Sequence, residues 1–234
     1  MRKALLILLL LPLLAVGQNR KKKDYLVTLS TSFGQMRFVL HDQTPKHKAN
    51  FIRLVDSSYY DGLLFHRIIE KFMIQGGDPD SRTAVAGQEL GNGDIGYLVP
   101  AEFVPTLFHK KGAIGAARDD RPDKASSAVQ FYIVQGRVWT DADLQKQIDR
   151  GLARGAKHDF TDDQKQVYKT LGGTPHLDGN YTVFGQVIDG LAVVDSIAKQ
   201  PRNPKDRPLA DIKMTMKGEW VKKKRITKQY GYVY

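Results

Sequence analysis

Cysteine is absent from this sequence of 234 residues, and histidine and tryptophan are scarce, with six and two residues. The lack of cysteine excludes disulfide bonds and thiol chemistry, and it suits an oxidising compartment in which an unpaired thiol would be a liability. His41 and His47 have no third ligand near them in the sequence, so we expect no metal site. The segment Gly91–Gly96 fits the dinucleotide fingerprint only by its letters, because no strand precedes it and no helix follows it, and we expect no cofactor.

Long apolar runs are also missing, apart from one at the N-terminus that is too short to span a bilayer. Residues Ala4–Leu14 follow two basic residues, and Ala15 and Gly17 form a small-x-small cleavage pattern. The pattern predicts a signal peptide over residues 1–17 that is removed during export. An uncleaved membrane anchor is the alternative, because the basic residues 20–23 could serve as its flank.

The rest of the chain has the size of a single domain. We expect a basic linker over residues 18–24 and one folded domain over residues 25–234. The signal peptide predicts secretion across the inner membrane into a bacterial periplasm, with no stable membrane span after cleavage. We also expect a monomer.

Acidic side chains are outnumbered by basic ones, 25 against 36, and the net charge is +11. An excess of this kind is typical of proteins that bind nucleic acid. Here the basic residues are scattered, with short local runs at Arg20–Lys23 and Lys222–Arg225. We interpret them as solvated faces and expect no nucleic-acid partner, with attraction to anionic lipid or cell-wall polymers as the alternative.

Short β-like runs recur along the chain between turn residues, and two helices are predicted among them. Thr44 and Pro45 predict the start of one helix, with Thr44 as its capping residue, and Leu191–Lys199 is the other. Many short strands with two helices predict a mainly β fold, a closed barrel with helices over its open ends. The predicted strands lie at Tyr25–Ser30, Met36–Leu40, Leu63–Ile69, Phe72–Gln75, Tyr97–Val99, Ala113–Ala116, Phe131–Val134, Thr182–Val187 and around Ile212–Met216.

One segment, about residues 135–175, is polar and has a helical pattern. Thr140 and Thr161 each stand where a helix would begin, the second in a capping box. Leu144, Ile148 and Leu152 recur every fourth residue, which predicts one buried face. We therefore expect an inserted helical hairpin that lies on the barrel.

The run from Phe65 to Asp78 places one arginine, Arg67, among large apolar side chains in a predicted strand, turn and strand. A guanidinium is costly to bury unless something pairs with it, so its presence here needs a reason. Taken singly, Phe72 and Met73 would suit ordinary core packing, and Arg67 would suit a surface ion pair. The three residues together with Gln75 indicate a site.

This run resembles the signature segment of cyclophilins, the peptidyl-prolyl cis-trans isomerases, and the resemblance extends from Tyr25 to Met216 outside the insert. It implies a closed, eight-stranded antiparallel cyclophilin-like barrel capped by two helices. The matching motifs are Tyr59–Gly62, Phe65–Arg67, Phe72–Met73, Gln75–Asp78, Gly96–Tyr97, Pro100–Phe103, Lys111–Arg118, Ser126–Ile133, Leu177–Gly179 and Val183–Val187.

The resemblance implies an isomerase that accelerates rotation about X-Pro bonds and assists folding, with proline-containing segments of exported proteins as partners. Arg67 and Gln75 are the implied catalytic residues. The backbone near Ala117 and Arg118 is expected to pair with bound peptide as an added strand. The implied substrate-binding residues are Phe72, Met73, Ala117, Arg118, Gln130, Tyr132, Leu177 and Tyr181.

Several positions depart from the family pattern and put the substrate preference in doubt. His176 stands where many members have tryptophan, which should weaken binding of cyclosporin, and Tyr181 stands where many have histidine. Tyr132 replaces a phenylalanine, so we expect an extra hydroxyl at the rim of the proline socket. Arg118 occupies a position that is often asparagine.

Two other functions fit the same sequence. The insert next to the pocket would suit a non-catalytic peptide-binding or chaperone module on the same barrel, with the insert as a lid or a docking arm. A lipocalin-like carrier of apolar ligands is the third hypothesis, although Arg67 and Gly76–Gly77 have no obvious purpose there.

Overall fold

The computed structural model describes residues 22–234. The signal peptide predicted over residues 1–17 lies outside this range, as does most of the linker predicted over residues 18–24. The first strand, β1 (Lys23–Thr31), begins two residues before the predicted start of the domain. Within the described range, no helix is both long enough and apolar enough to cross a bilayer.

Ten strands form one antiparallel sheet of eight and a separate pair, β5 with β7. The order in the large sheet is β10-β1-β2-β9-β6-β8-β4-β3. After β1, the strands are β2 (Gly34–Leu40), β3 (Phe65–Ile69), β4 (Met73–Gly76), β5 (Leu98–Val99), β6 (Ala113–Ala116), β7 (Ser126–Ser127), β8 (Phe131–Val134), β9 (Val183–Asp189) and β10 (Thr215–Lys222). The predicted eight strands and their antiparallel pairing are confirmed.

The predicted closure of the barrel is wrong, because the sheet is a curled half-barrel whose edge strands, β3 and β10, do not pair in the described part of the chain. The residues before β10 bond instead to the first residue of β3 and to the residues just before it. Gly62 N–H donates to the Met214 carbonyl and Phe65 N–H donates to the Ile212 carbonyl, both at 2.9 Å. Buried and exposed residues alternate around Met214, as in a strand. The backbone pairing between the two edges nevertheless ends where β3 and β10 begin.

Both predicted helices against the sheet are confirmed, as α1 (Pro45–Asp56) and α4 (Leu191–Ala198). Each is held by an apolar face, with Phe51 and Leu54 buried on α1 and Val194 and Ile197 buried on α4. The predicted cap at Thr44 does not form in the expected way. Its hydroxyl donates to the His41 carbonyl at 3.3 Å instead of accepting from the helix.

The insert is helical, with α2 (Asp141–Ala153) and α3 (Asp162–Thr170). Both predicted caps form, and the Thr161 box is reciprocal with Gln164. The two helices bury an apolar cluster of their own, made of Trp139, Leu144, Ile148 and Tyr168. Leu152 does not belong to this cluster and is exposed. It lies in the last turn of α2, where the helix no longer packs its apolar face against the cluster.

A fifth helix, α5 (Lys223–Tyr230), was not predicted. Its sequence is mostly basic and polar, and it buries one side chain, Ile226, against Leu26 and Val39 of the sheet. One buried contact in eight residues is too little for a recognisable apolar period.

The two faces of the sheet hold separate apolar clusters. Ile74 and Ile133 point inward to the main core, whereas their neighbours Met73, Tyr132 and Val134 point outward. This alternation follows from the pleat of a strand, which turns successive side chains to opposite faces. The outward cluster is where the candidate site forms.

Candidate active site

One row of side chains crosses the outer face of the sheet. Arg67 on β3 lies opposite Gln75 on β4, Gln75 lies opposite Tyr132 on β8, and Tyr132 lies opposite Gly115 on β6. Glycine is needed at the end of the row, because a Cβ on Gly115 would lie 2.3 Å from the Tyr132 ring. The ring therefore lies across β6 and faces the side chains of the row.

This row opens into a pocket of about 140 Å³. The structure brings nine of the ten predicted site residues together around it: Arg67, Phe72, Met73, Gln75, Ala117, Arg118, Tyr132, Leu177 and Tyr181. The tenth, Gln130, lines an adjoining hollow of about 70 Å³ that shares Gln75, Ala117 and Arg118 with the first. The loop that contains Gly91–Gly96 borders the second hollow.

The guanidinium of Arg67 is held at the edge of the pocket. Its side chain is 41% exposed, and its Nη2 lies 3.5 Å from Asp206 Oδ2. Within residues 22–234 it donates no hydrogen bond, so its N–H groups are open to a ligand in the pocket. Asp206 was not predicted, because the contact joins two parts of the chain that are far apart in sequence. His66, which directly precedes Arg67 in the sequence, is buried and lies outside the pocket.

The side chain of Gln75 bonds to Gln130 and not to Arg67 within residues 22–234. Its Nε2 donates to Gln130 Oε1 at 3.1 Å, and Gln130 Nε2 donates to the carbonyls of Gly91 and Gly93 at 2.9 Å each. The two amides therefore form a chain from the middle of the row to the loop. This fixes the orientation of Gln75 and separates the two hollows.

The apolar wall of the pocket consists of stacked rings. Phe72 stacks on His176 with ring centroids 5.6 Å apart, and Tyr132 meets Tyr181 edge-on at 6.1 Å. Burial lowers the pKa of His176 to about 3. The imidazole is therefore neutral at physiological pH, so the ring that stacks on Phe72 carries no charge.

The side chain of Arg118 is part of the pocket wall and is held there by its contacts. The side chain is 8% exposed, its Nε donates to the Asn180 carbonyl at 2.9 Å, and its guanidinium carbon lies 4.6 Å from the centre of the Tyr181 ring. The backbone of Ala117 is also occupied, since its N–H donates to the Gln130 carbonyl and its carbonyl accepts from Ser127. Of the two predicted backbone positions, Arg118 is therefore the open one for a peptide.

The hydroxyl of Tyr132 does not lie at the rim as expected. Tyr132 is 4% exposed, and its oxygen lies 2.8 Å from His109 Nε2 below the pocket. The socket therefore presents only the face of the ring. His109 was not predicted to be near the site, because nothing in its local sequence marks it.

Comparison with known proteins agrees with this geometry. The family model described as "Cyclophilin type peptidyl-prolyl cis-trans isomerase/CLD" matches residues 26–218. A Staphylococcus aureus (strain USA300) protein named as a peptidyl-prolyl cis-trans isomerase is 35% identical over 187 residues, which cover 80% of this chain and 87% of that protein. A Streptococcus pyogenes protein named as a bifunctional phosphatase and peptidyl-prolyl cis-trans isomerase is 38% identical over 189 residues, which cover 80% of this chain but only 37% of that longer protein.

Solved structures show the same fold. A crystal structure of a cyclophilin type peptidyl-prolyl cis-trans isomerase from Cryptosporidium parvum is 24% identical, with a TM-score of 0.58, over 84% of this chain and 98% of that one. The same protein in the presence of the dipeptide Ala-Pro matches with 25% identity and a TM-score of 0.55, over 81% of this chain and 97% of that one.

Proposed function

The chain belongs to the cyclophilin-type peptidyl-prolyl cis-trans isomerase family, and we propose that it uses the pocket beside Arg67 to turn X-Pro bonds in exported proteins. The observation that carries the proposal is the juxtaposition of an apolar socket and a guanidinium that donates no hydrogen bond to any residue of the described range 22–234. We define the socket as Phe72, Met73, Tyr132 and Leu177.

The reaction requires no covalent chemistry. Rotation about an X-Pro bond faces a barrier of about 20 kcal/mol, and uncatalysed isomerisation takes roughly tens to hundreds of seconds. At the top of the barrier the amide is twisted, its resonance is lost and the proline nitrogen carries a free lone pair. A catalyst must therefore bind the twisted amide more tightly than either planar form.

Arg67 supplies that difference in our proposal. A guanidinium N–H directed at the proline nitrogen stabilises the lone pair of the twisted form and has no comparable acceptor in the planar form. Each tenfold gain in rate requires about 1.4 kcal/mol, and a charge-assisted hydrogen bond in a partly dry pocket can supply more than one such step. Asp206 orients Arg67 at 3.5 Å without covering it, since both side chains stay partly exposed.

The socket supplies the grip that the rotation needs. Phe72, Met73, Tyr132 and Leu177 line one side of the pocket and would hold the pyrrolidine ring while the preceding carbonyl swings. Neutral His176 stacks on Phe72 and adds no charge behind the socket. Gln75 and the open backbone of Arg118 would anchor the peptide on either side of the proline.

Exported proteins are the proposed substrates, and the periplasm is the proposed location. Both rest on the sequence, namely the signal-peptide pattern over residues 1–17 and the lack of cysteine in the whole chain. A prolyl isomerase in that compartment would encounter newly exported chains while their X-Pro bonds are still accessible.

A refolding experiment tests the proposal. The chain without residues 1–17 is added to an unfolded exported protein whose slow refolding phase is limited by X-Pro isomerisation, and Arg67→Ala is added in parallel. We expect the first to accelerate the slow phase and Arg67→Ala to leave it nearly at its uncatalysed rate. Equal acceleration by both would contradict the role of Arg67, and recovery of the full-length protein in the cytoplasmic fraction of expressing cells would contradict export.

A further inference from the structure

We propose that the helical insert positions the proline socket through a buried chain of four side chains, Tyr132, His109, Asp178 and Tyr168. This inference rests on the proposed function, because it assigns the insert a part in the same site. We call these four residues the buried chain. It would make the insert a support for the socket instead of a lid or a docking arm.

The contacts in the buried chain are continuous from the pocket to the insert. Tyr132 Oη lies 2.8 Å from His109 Nε2, and His109 Nδ1 lies 2.6 Å from Asp178 Oδ1. The backbone N–H of His109 donates to the same Asp178 oxygen at 2.8 Å. On the other side, the Tyr168 hydroxyl donates to Asp178 Oδ2 at 2.6 Å. The side chains of His109 and Asp178 are each 1% exposed, so these contacts are shielded from bulk solvent.

The direction of each hydrogen bond follows from the carboxylate. An ionised Asp178 can only accept, so His109 Nδ1 donates to it, and in the neutral form of the ring Nε2 is then the acceptor. In that arrangement Tyr132 donates to His109. Burial raises the pKa of Tyr132 and of Tyr168 well above the ordinary value of 10.0, so both hydroxyls keep the proton that they donate.

Two members of the buried chain, Tyr132 and Asp178, bear on the socket. The Tyr132 ring is a wall of the pocket, lies nearly parallel to His109 at 5.9 Å and has its hydroxyl 2.8 Å from His109 Nε2. Leu177, a second wall residue, directly precedes Asp178. One buried carboxylate thus fixes two of the four socket residues.

The insert supplies the last donor and packs against the same segment. Tyr168 is fully buried on α3, in the cluster with Trp139 and Ile148. At the end of α2, the Gly151 carbonyl accepts from Asn180 Nδ2 at 3.2 Å, just beyond Asp178. A second insert residue, His158, has its Nε2 4.0 Å from Asp178 Oδ2. Removing the Tyr168 hydroxyl would leave the buried Asp178 Oδ2 without the donor of its shortest hydrogen bond.

A double-mutant cycle on the full chain tests this assignment. Tyr168→Phe, Tyr132→Phe and the double variant are compared for kcat/KM on an Ala-Pro peptide, at a temperature where circular dichroism shows all of them folded. We expect Tyr168→Phe to lower kcat/KM by about five- to fiftyfold, within the hundredfold that a shift of one ångström can cost. In the Tyr132→Phe background, Tyr168→Phe should lower kcat/KM by about twofold or less, because the hydrogen bond that connects the Tyr132 ring to the buried chain is already absent.

Tyr25→Phe is the matched control. It also removes a hydroxyl that a buried tyrosine donates to a carboxylate, here Asp56, but in the main core and away from the socket. We expect Tyr25→Phe to lower the melting temperature and to leave kcat/KM unchanged. A loss of kcat/KM in Tyr168→Phe no larger than in this control would overturn the proposal.

Two further outcomes decide the remaining cases. If Tyr168→Phe cost the same factor with and without the Tyr132 hydroxyl, the insert would act on the site by another route and the buried chain would be overturned. If Tyr168→Phe did not fold, Tyr132→Phe alone would decide, since an unchanged kcat/KM there would overturn it too. Arg67→Ala separates these failures from failure of the proposed function, because full activity of that variant would refute the site itself.

Discussion

Arg67 and Gln75 lie directly opposite each other on neighbouring antiparallel strands, with side chains on the same outer face of the sheet. Gln75 in turn lies opposite Tyr132, so a cation, an amide and an aromatic ring stand in one row. A row of this kind is fixed by strand register, and a slip of one residue would turn all three to the other face. The site is therefore built from the rigid part of the fold.

The first prediction concerns Gln75. Gln75→Ala removes the amide that links the row to Gln130 and that we propose anchors the peptide, so we expect kcat/KM to fall by about tenfold with little change in stability. Turnover of an Ala-Pro peptide and the melting temperature measure the two effects. Gln43→Ala, an exposed glutamine outside the pocket, is the control and should match the wild type. Equal activity of both variants would show that Gln75 has no part in the reaction.

The second prediction concerns the glycine beneath the Tyr132 ring. Gly115→Ala places a Cβ 2.3 Å from the ring, so the ring must leave its position in the socket. We expect a loss of about tenfold or more in kcat/KM together with about 1–3 kcal/mol of stability. Activity is measured well below the melting temperature of the variant.

Gly218→Ala provides the control for that clash. Gly218 is also a strand glycine beneath a tyrosine, but it lies on the far side of the sheet from the socket. A Cβ at this position would lie 2.0 Å from the Tyr25 hydroxyl. The variant should lose stability and keep kcat/KM. If both variants kept their activity, the placement of the Tyr132 ring would not matter to the reaction.

The third prediction concerns acid pH. Burial lowers the pKa of His66 and His41 to about 4 and that of His176 to about 3, from an ordinary 6.5. As the pH falls below about 6.5, the unfolded chain takes up protons that the folded chain does not accept until about pH 4, so the free energy of unfolding decreases through that window. Above it, these histidines leave stability unchanged. Each histidine contributes a slope of about 1.4 kcal/mol per pH unit.

His66→Leu isolates one histidine of the three. Neither ring nitrogen of His66 has a hydrogen-bond partner among the described residues, so the substitution breaks no bond there. Urea denaturation between about pH 7.5 and about pH 5 should show a shallower loss of stability in the variant than in the wild type. Identical slopes would mean that folding does not lower the pKa of His66.

Much of the local structure could be predicted because its causes are local. Short apolar runs predicted β6 (Ala113–Ala116) and β8 (Phe131–Val134) to the residue, and the Thr161 capping box predicted the start of α3. The placement of nine predicted site residues around one pocket followed from motifs in the order of a known family. Their catalytic and binding roles stay predictions.

Contacts between distant parts of the chain could not be predicted in this way. Nothing in the sequence near Arg67 indicates Asp206, and nothing near Tyr132 indicates that its hydroxyl meets His109 and not the peptide. The open edge of the sheet has the same cause, because the burial of Met214 marks a face but not the strand that pairs with it. Each of these depends on how the strands are arranged in space.

The most direct measurement is cis–trans exchange of an Ala-Pro peptide, followed by NMR in the presence of wild type and of Arg67→Ala, with binding of the same peptide measured separately. We expect Arg67→Ala to bind the peptide within about threefold of wild type, because the socket is intact, and to lose at least about a hundredfold in exchange rate. An exchange rate in Arg67→Ala equal to that of the wild type would contradict the account.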